Sequence, residues 1–157
     1  MSTWIVDVDG TLARRSDRDP YDLTRVSEDR TNEPVLELVQ ALLDQVGERR
    51  VFVVSGRQDC CRAATEEWLA RHGVRYRALL MRATGDSRKD AIVKKEMFLD
   101  KIMPMVLADD LDARPEASVL TPTFPLGEFR VLDDRDQCVE MWRGLGLFCA
   151  QVAPGHF

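Results

Sequence analysis

The sequence is poor in the residues that build most metal and redox centres. Its 157 residues include two histidines and four cysteines. Cys60, Cys61, Cys138 and Cys149 show no CxxC spacing, and only His72 and His156 could join them, so a zinc site is not expected. The thiols read as reduced and half-buried. No apolar run approaches the ~20 residues of a membrane span, and Asp7 interrupts the N-terminal segment too early for a secretory signal. A cytoplasmic location with no membrane partner is expected. Positive charge is also short: 22 Lys and Arg stand against 27 Asp and Glu, a net charge of -5. Such a chain does not bind polyanions indiscriminately, so any contact with nucleic acid has to come from a local patch. Eighteen of the 22 cations are arginine, which a compositional bias of the genome explains as readily as phosphate binding. There is no GxxxxGK[ST], no internal repeat and no low-complexity segment.

What is present is an ordinary soluble composition, 45% apolar and 31% charged, in a length that suits a single domain over 1–157. Strands and helices alternate. A strand over Thr3 to Val8 precedes a polar stretch to Asn32 and a helix from Glu33-Pro34 to about Val46, with Val35, Leu38, Val39, Leu42 and Val46 on its apolar face. Val51 to Val54 is apolar throughout, as in a buried parallel strand, and runs into a Ser-Gly turn. A helix over 58–71, a strand over Tyr76 to Arg82 and a helix from about Ser87 to Lys101 follow. Strands at Phe129 to Asp134 and Leu147 to Val152 flank a helix with the stripe Cys138, Met141, Trp142 and Leu145, read as core. This order predicts an α/β fold, a doubly wound, Rossmann-like parallel sheet with helices on both faces.

In such a fold chemistry sits beyond the carboxyl ends of the strands. Those ends carry Asp7-Val8-Asp9, Ser55-Gly56-Arg57 and Asp133-Asp134. Asp7 and Asp9 alternate on one strand and so project together, where two carboxylates are costly without a cation or a proton between them. Carboxylates, a hydroxyl and a cation at converging strand ends suit phosphoryl transfer through Mg²⁺.

The segments "DVDGT", "VVSGR", the lysine of "GDSRKD" and "LDDR" resemble, in order, the four motifs of the haloacid-dehalogenase (HAD) type phosphatases. Longer stretches, "DVDGTLARRSDRDPYDL", "GDSRKDAIVKKEMF" and "DDRDQCVEMWRGLG…CAQVAPGHF", are similar to the 3'-phosphatase domain of phage polynucleotide 5'-kinase/3'-phosphatase. The resemblance implies that Asp7 is the nucleophile that forms an aspartyl-phosphate, and that Asp9 is the general acid and then the general base. It implies that Mg²⁺ is held by Asp7, the Asp9 backbone carbonyl and one of Asp133 or Asp134. Thr11 and Ser55 would donate to phosphate oxygens, Lys89 would neutralise the transferring phosphoryl group, and Gly10 and Gly56 would let backbone amides approach it. Arg18 and Arg57 match arginines that engage the phosphate or its nucleotide, and Asp86 matches an acidic residue that fixes the lysine or an arginine. Arg14, Arg15, Lys94 and Lys95 read as surface charge.

The connections from Thr11 to Val51 and from Arg57 to Lys89 are too short for a large cap domain, so the site should be open to a bulky substrate. "RDPYD" over 18–22 resembles the phage "RSPYD", with Asp19 adding a negative charge beside Arg18. Residues 103 to 128, with four prolines and the acidic "DDLDARPE", exceed the family's short connection and read as a loop or flap. The expected function is a Mg²⁺-dependent polynucleotide 3'-phosphatase that repairs RNA or DNA ends, in the host cytoplasm if phage-encoded. The expected partners are 3'-phosphorylated RNA or DNA ends, with a kinase domain on the same or another chain and a homo-oligomer left open. A small-molecule phosphomonoesterase such as a nucleotidase, and an inactive module that holds phosphorylated ends, are the alternatives. Retention of both Asp7 and Asp9 speaks against the latter.

Overall fold

The computed structural model describes residues 2–19, 22–113 and 126–155. Its first strand, β1 (Thr3–Asp7), shows why the sheet must be covered twice. Side chains alternate along it, and Ile5 and Val6, on opposite faces, are both fully buried. After it come a two-stranded ribbon, β2 (Ala13–Arg14) and β3 (Arg30–Thr31), then α1 (Glu33–Val46), β4 (Val51–Gln58), α2 (Arg62–Arg71) and β5 (Ala78–Arg82). The second half adds α3 (Asp90–Met97), α4 (Met103–Ala113), β6 (Phe129–Asp133), α5 (Asp136–Gly144) and β7 (Phe148–Gln151).

The five longer strands form one parallel sheet in the order β5-β4-β1-β6-β7, the α/β fold expected. One face packs Val6, Val51 and Val53 against Leu36, Val39, Leu43, Trp68 and Leu69 of α1 and α2. The other packs Ile5, Phe52, Val54 and Val131 against Val93, Met97, Phe98, Val106 and Trp142 of α3, α4 and α5 and the turn between α3 and α4. From β1 the chain winds outward through β4 and β5, then crosses back to β6 on the other side of β1. The switch point of the topology therefore lies between the carboxyl ends of β1 and β6, where a crevice opens in sheets of this kind. Asp7 and Asp133 are the last residues of those two strands.

Several elements depart from the expected boundaries. The polar stretch before α1 holds the ribbon and a 3-10 turn (Leu23–Glu28), in which the Thr24 amide donates to the capping Asp22 carboxylate. Strands of two residues are too short to show alternation. On α1 the stripe is rotated: Leu36 and Leu43 are buried where Leu38, 43% exposed, was expected. β4 does not stop at a Ser-Gly turn but continues to Gln58, with a break in register between Ser55 and Gln58. α3 begins at Asp90 rather than Ser87.

The expected loop or flap at 103–128 is helical in its first part. Pro104 has no N–H and its ring would clash with the carbonyl four residues earlier, which should end a regular helix. A π turn over Phe98–Ile102 widens the helix just ahead of it, and α4 then continues to Ala113. The rest of that stretch, 114–125, lies outside the described residues, as do Pro20 and Tyr21 of "RDPYD". Among the described residues no helix is long and apolar enough to cross a membrane. The segments between β1 and β4 and between β4 and β5 contain no large cap domain among those residues.

Candidate active site

Asp7 closes β1 with its side chain almost wholly buried. Its Oδ1 lies 2.7 Å from Lys94 Nζ, while its Oδ2 is buried with no hydrogen-bond partner. Burial pushes the Asp7 carboxyl well above its ordinary pKa, and Asp133, Asp134 and Asp90 push it further, against the pull of Lys94. Lys94, 1% exposed, also reaches Asp133 Oδ2 at 2.8 Å and Asp90 Oδ2 at 3.4 Å. Burial alone would lower its pKa, but these carboxylates outweigh that and raise it well above the usual lysine range.

This corrects two expectations. Lys94 is not surface charge, and Lys89, expected to be the phosphate-neutralising lysine, is exposed at the N-cap of α3. The helix phase decides it. Asp90, Val93, Lys94 and Met97 form the buried stripe of α3, so the lysine four residues after Asp90 enters the site and the one before it turns away.

Two carboxylates follow β6. Asp133 is satisfied on both oxygens: Oδ2 accepts from Lys94 Nζ and from Trp142 Nε1 at 3.1 Å, and Oδ1 from the Arg135 amide at 3.1 Å. Asp134 Oδ1 accepts from Thr11 Oγ1 at 3.3 Å. Burial and the Asp133 charge raise the Asp134 pKa to about 6. One carboxylate oxygen from each of Asp7, Asp133 and Asp134 lies within 4.8 Å of the others. Gly10, with φ +87°, lets the chain pass directly over this cluster, since a Cβ there would stand 2.0 Å from Asp134 Oδ2.

Asp9 is placed differently, with its side chain 41% exposed. Arg57 grips it through Nε at 3.0 and 2.9 Å and Nη2 at 2.8 Å, Ser55 Oγ lies 3.5 Å from Oδ2, and Arg18 Nη2 lies 3.7 Å from Oδ1. Both guanidiniums are anchored behind by Asp29, which accepts from Arg18 Nε and Nη2 at 2.8 and 2.6 Å and from Arg57 Nη2 at 2.8 Å. Trp68 Nε1 fixes the Asp29 carbonyl at 2.8 Å. Asp29 lies in the irregular stretch before α1, where no spacing marks it, and the sequence reading missed it. Arg18 donates to the Asp19 backbone carbonyl at 3.3 Å, and the strong partner of its side chain is Asp29.

The remaining candidates divide. Thr11, Ser55, Gly56 and Arg57 lie in the site, although Thr11 donates to Asp134 and the Ser55 hydroxyl accepts from the Arg57 amide at 3.1 Å. A Cβ on Gly56 would meet Asp90 Oδ1 at 2.4 Å. Asp86 does not join them. Its carboxylate is bound by Arg88 at 2.7 Å, and those hydrogen bonds hold its pKa down to about 2. The acidic residue that fixes the lysine is Asp90, which also takes Arg82 Nη2 at 3.0 Å. Burial works against ionisation of Asp90, but Lys94, Arg82 and Arg135 hold its pKa below the ordinary carboxylate value.

The arrangement offers a buried carboxylate with one open oxygen, a second carboxylate held at the solvent boundary two residues later, and a cluster of acidic oxygens beside them. The family model described as the polynucleotide kinase PNKP phosphatase domain matches residues 1–110 and 128–157. A protein of Autographa californica nuclear polyhedrosis virus, assigned as a bifunctional polynucleotide kinase/RNA ligase, is 29% identical over 143 residues, which is 90% of this chain and 18% of the viral protein. Two structures of the Pnkp1/Rnl/Hen1 complex, one described as an RNA repair complex, contain a chain 37% identical to this one, with TM-scores of 0.77 and 0.78. Each match covers 99% of this chain and 43% or 47% of the other, so the chain spans less than half the length of these relatives.

Proposed function

The chain belongs to the family of polynucleotide kinase PNKP phosphatase domains, and from that premise we propose that it is a Mg²⁺-dependent polynucleotide 3'-phosphatase working in the repair of RNA or DNA ends. The observation that carries the reading is the pair Asp7 and Asp9. Asp7 is buried with Oδ1 on Lys94 and Oδ2 open, and Asp9 is clamped by Arg57 at the edge of solvent.

The residues present fit a hard dication. Asp7 Oδ2 is a buried oxygen without a donor, and burial with neighbouring carboxylates pushes Asp7 and Asp134 toward protonation even with Lys94 beside them. Asp7, Asp134 and the Asp9 backbone carbonyl would hold it, because both oxygens of Asp133 are already taken by Lys94, Trp142 and the Arg135 amide. Bound there, Mg²⁺ supplies charge stabilisation for a phosphoryl group and keeps the carboxylates ionised.

The chain's own residues account for the proton and bond changes. The Asp7 carboxylate bonds to phosphorus while the P–O3' bond breaks, and the leaving ribose oxygen takes a proton from Asp9. Water then attacks phosphorus and gives its proton to Asp9, the P–O bond to Asp7 breaks, and phosphate leaves. Lys94 holds Asp7 in line and balances its charge, while Arg57 and Arg18 orient Asp9 from the Asp29 anchor and face the incoming phosphate.

The test is phosphate release from a 3'-phosphorylated oligonucleotide, a 5'-phosphorylated one and free nucleotides, with and without chelator. Release is expected from the 3' end, abolished by chelator, restored by Mg²⁺, and lost in folded Asp7→Asn and Asp9→Asn variants. Substantial turnover by Asp7→Asn would sink the covalent mechanism. A free 5'-nucleotide as the best substrate would make the protein a nucleotidase.

A further inference from the structure

Three arginines stand outside the Asp9–Asp29 network and gather on the ribbon that leaves the site. β2 and β3 are antiparallel with Arg14 directly opposite Arg30, and Arg15 follows Arg14. Like charges facing each other across a ribbon repel. Arg14 has a local partner, donating from Nη2 to Asn32 Oδ1 at 2.9 Å. Arg15 and Arg30 are exposed, and their side chains have no hydrogen bond or ion pair among the described residues. With Ser16 and Asp17 they line one cleft. In that cleft Ser16 Oγ is buried without a hydrogen-bond partner, a donor that folding alone does not satisfy. Asp17, the cleft's one carboxylate, has its Oδ1 3.4 Å from Arg25 Nη2.

Both arms of the ribbon start from the residues that hold Asp9. Ala13, just before Arg14, forms a bridge with Asp9, and its amide donates to the Val8 carbonyl at 2.8 Å. Asp29, just before Arg30, anchors the two arginines that grip Asp9. Arg15 thus follows Ala13 by two residues and Arg30 follows Asp29 by one, steps of roughly 3.5 Å each along the chain. In a protein of net charge -5, an unpaired cationic cleft beside the site is the local patch a polyanion needs.

We infer that Arg15, Arg30 and the Ser16 hydroxyl form a subsite for the phosphodiester next to the 3'-terminal nucleotide. The inference rests on the 3'-phosphatase reading and adds what selects a strand over a mononucleotide. The arginines supply charge and paired N–H donors to the phosphate oxygens, and Ser16 supplies a single hydroxyl. Arg14, held by Asn32, keeps the ribbon positive without touching the strand.

The experiment measures binding separately from turnover. Fluorescence anisotropy of a 3'-phosphorylated hexanucleotide labelled at its 5' end is followed in chelator, across a salt series, for the full chain, for R15A/R30A and for Arg75→Ala. Arg75 is an exposed arginine near the amino end of β5, at the opposite ends of the strands. The double variant should bind about tenfold more weakly, with the slope of log K against log salt shallower by about 0.7, the share of one phosphate on a single strand. Its kcat/KM should fall by a similar factor on the hexanucleotide and stay unchanged on a nucleoside 3'-monophosphate. Arg75→Ala should match the unmodified protein throughout. Affinity of R15A/R30A within twofold of the unmodified protein, or an equal loss in Arg75→Ala, overturns the subsite. Failure of the 3'-phosphatase reading is a separate result: the unmodified protein would release no phosphate from the strand, while the anisotropy comparison would still report on the cleft.

Discussion

Lys94 is a fully buried cation that neighbours three carboxylates, and its removal separates two roles that sequence alone confounds. Its ammonium lies 2.7 Å from Asp7 and 2.8 Å from Asp133. Lys94→Met leaves those carboxylates unbalanced in a dry site, which should cost about 3–5 kcal/mol of stability in urea unfolding and abolish phosphate release. Lys89→Ala, at an exposed N-cap, should leave both within a factor of two. If Lys89→Ala were as damaging as Lys94→Met, the placement of α3 would be wrong. The sequence contained the signal, because Asp90 and Lys94 share the stripe of Val93 and Met97. Reading the helix from Ser87 hid the phase. Asp29 had no such signal, since its role depends on Trp68 and two arginines that converge from distant segments. The carboxylates themselves were legible, as DxDGT and LDDR stand at strand ends in any parallel reading of the chain.

The same residues set a pH dependence. Burial and Asp133 raise the Asp134 pKa to about 6, above the ordinary 3.8. A carboxyl whose folded pKa is raised favours the folded state while it is protonated, and that contribution is lost as pH rises from about 4 through about 6. Asp7 is shifted in the same direction. Asp22, Asp59, Asp86 and Asp90 are shifted downward, so their contribution is lost only as pH falls below the ordinary carboxylate range, outside this window. A dication at the cluster competes with the protons. The rise in melting temperature on adding Mg²⁺ to chelator-treated protein should therefore be larger at pH 7.5 than at pH 5. Equal shifts at both values, measured by thermal unfolding, would place the ion elsewhere.

At the scale of elements, the site exists because strand ends come closer than side chains normally permit. Gly10 passes over Asp134 with φ +87° and room for no Cβ. Gly47, at the end of α1, has a similar φ of +77° and nothing within 4 Å. The pair isolates geometry from contact. Each Ala substitution should cost about 1–2 kcal/mol of stability through backbone strain. Gly10→Ala should in addition displace Asp134 and lower kcat by at least about a hundredfold, whereas Gly47→Ala should leave kcat unchanged. Similar kcat values for the two variants would show that the Asp134 position is not needed. Regular elements were legible where burial imposes a pattern, as in the continuous apolar run "VFVV" of β4 or the helical stripe of α5. They were not legible where one device overrides another. The π turn before Pro104 keeps a helix going through a residue that normally stops one, and the ribbon is built from pairs too short to carry a period.

The whole molecule sets how much substrate the site can use. The switch point between β1 and β6 gathers Asp7, Asp133 and Asp134. No large cap domain appears in the two segments that flank β4 among the described residues, so a polymer end can enter and its remaining length can extend into solvent. Beyond the terminal nucleotide the unpaired cations near the site among the described residues are those of the ribbon and the exposed Lys89 at the N-cap of α3, and the protein as a whole carries a charge of -5. Phosphates farther along the strand meet a surface that repels them weakly at physiological salt, where charges more than ~8 Å apart are screened. The gain from added length should therefore end early. Over 3'-phosphorylated substrates of one, two, three, six and twelve nucleotides, kcat/KM should climb to the dinucleotide, the shortest that carries this phosphodiester, and then stay within about threefold. The slope of log kcat/KM against log salt should level off at the same length, near -1.4 for two phosphate contacts on a single strand. A rate that keeps rising tenfold or more between six and twelve nucleotides would require a longer cationic track than the described residues present.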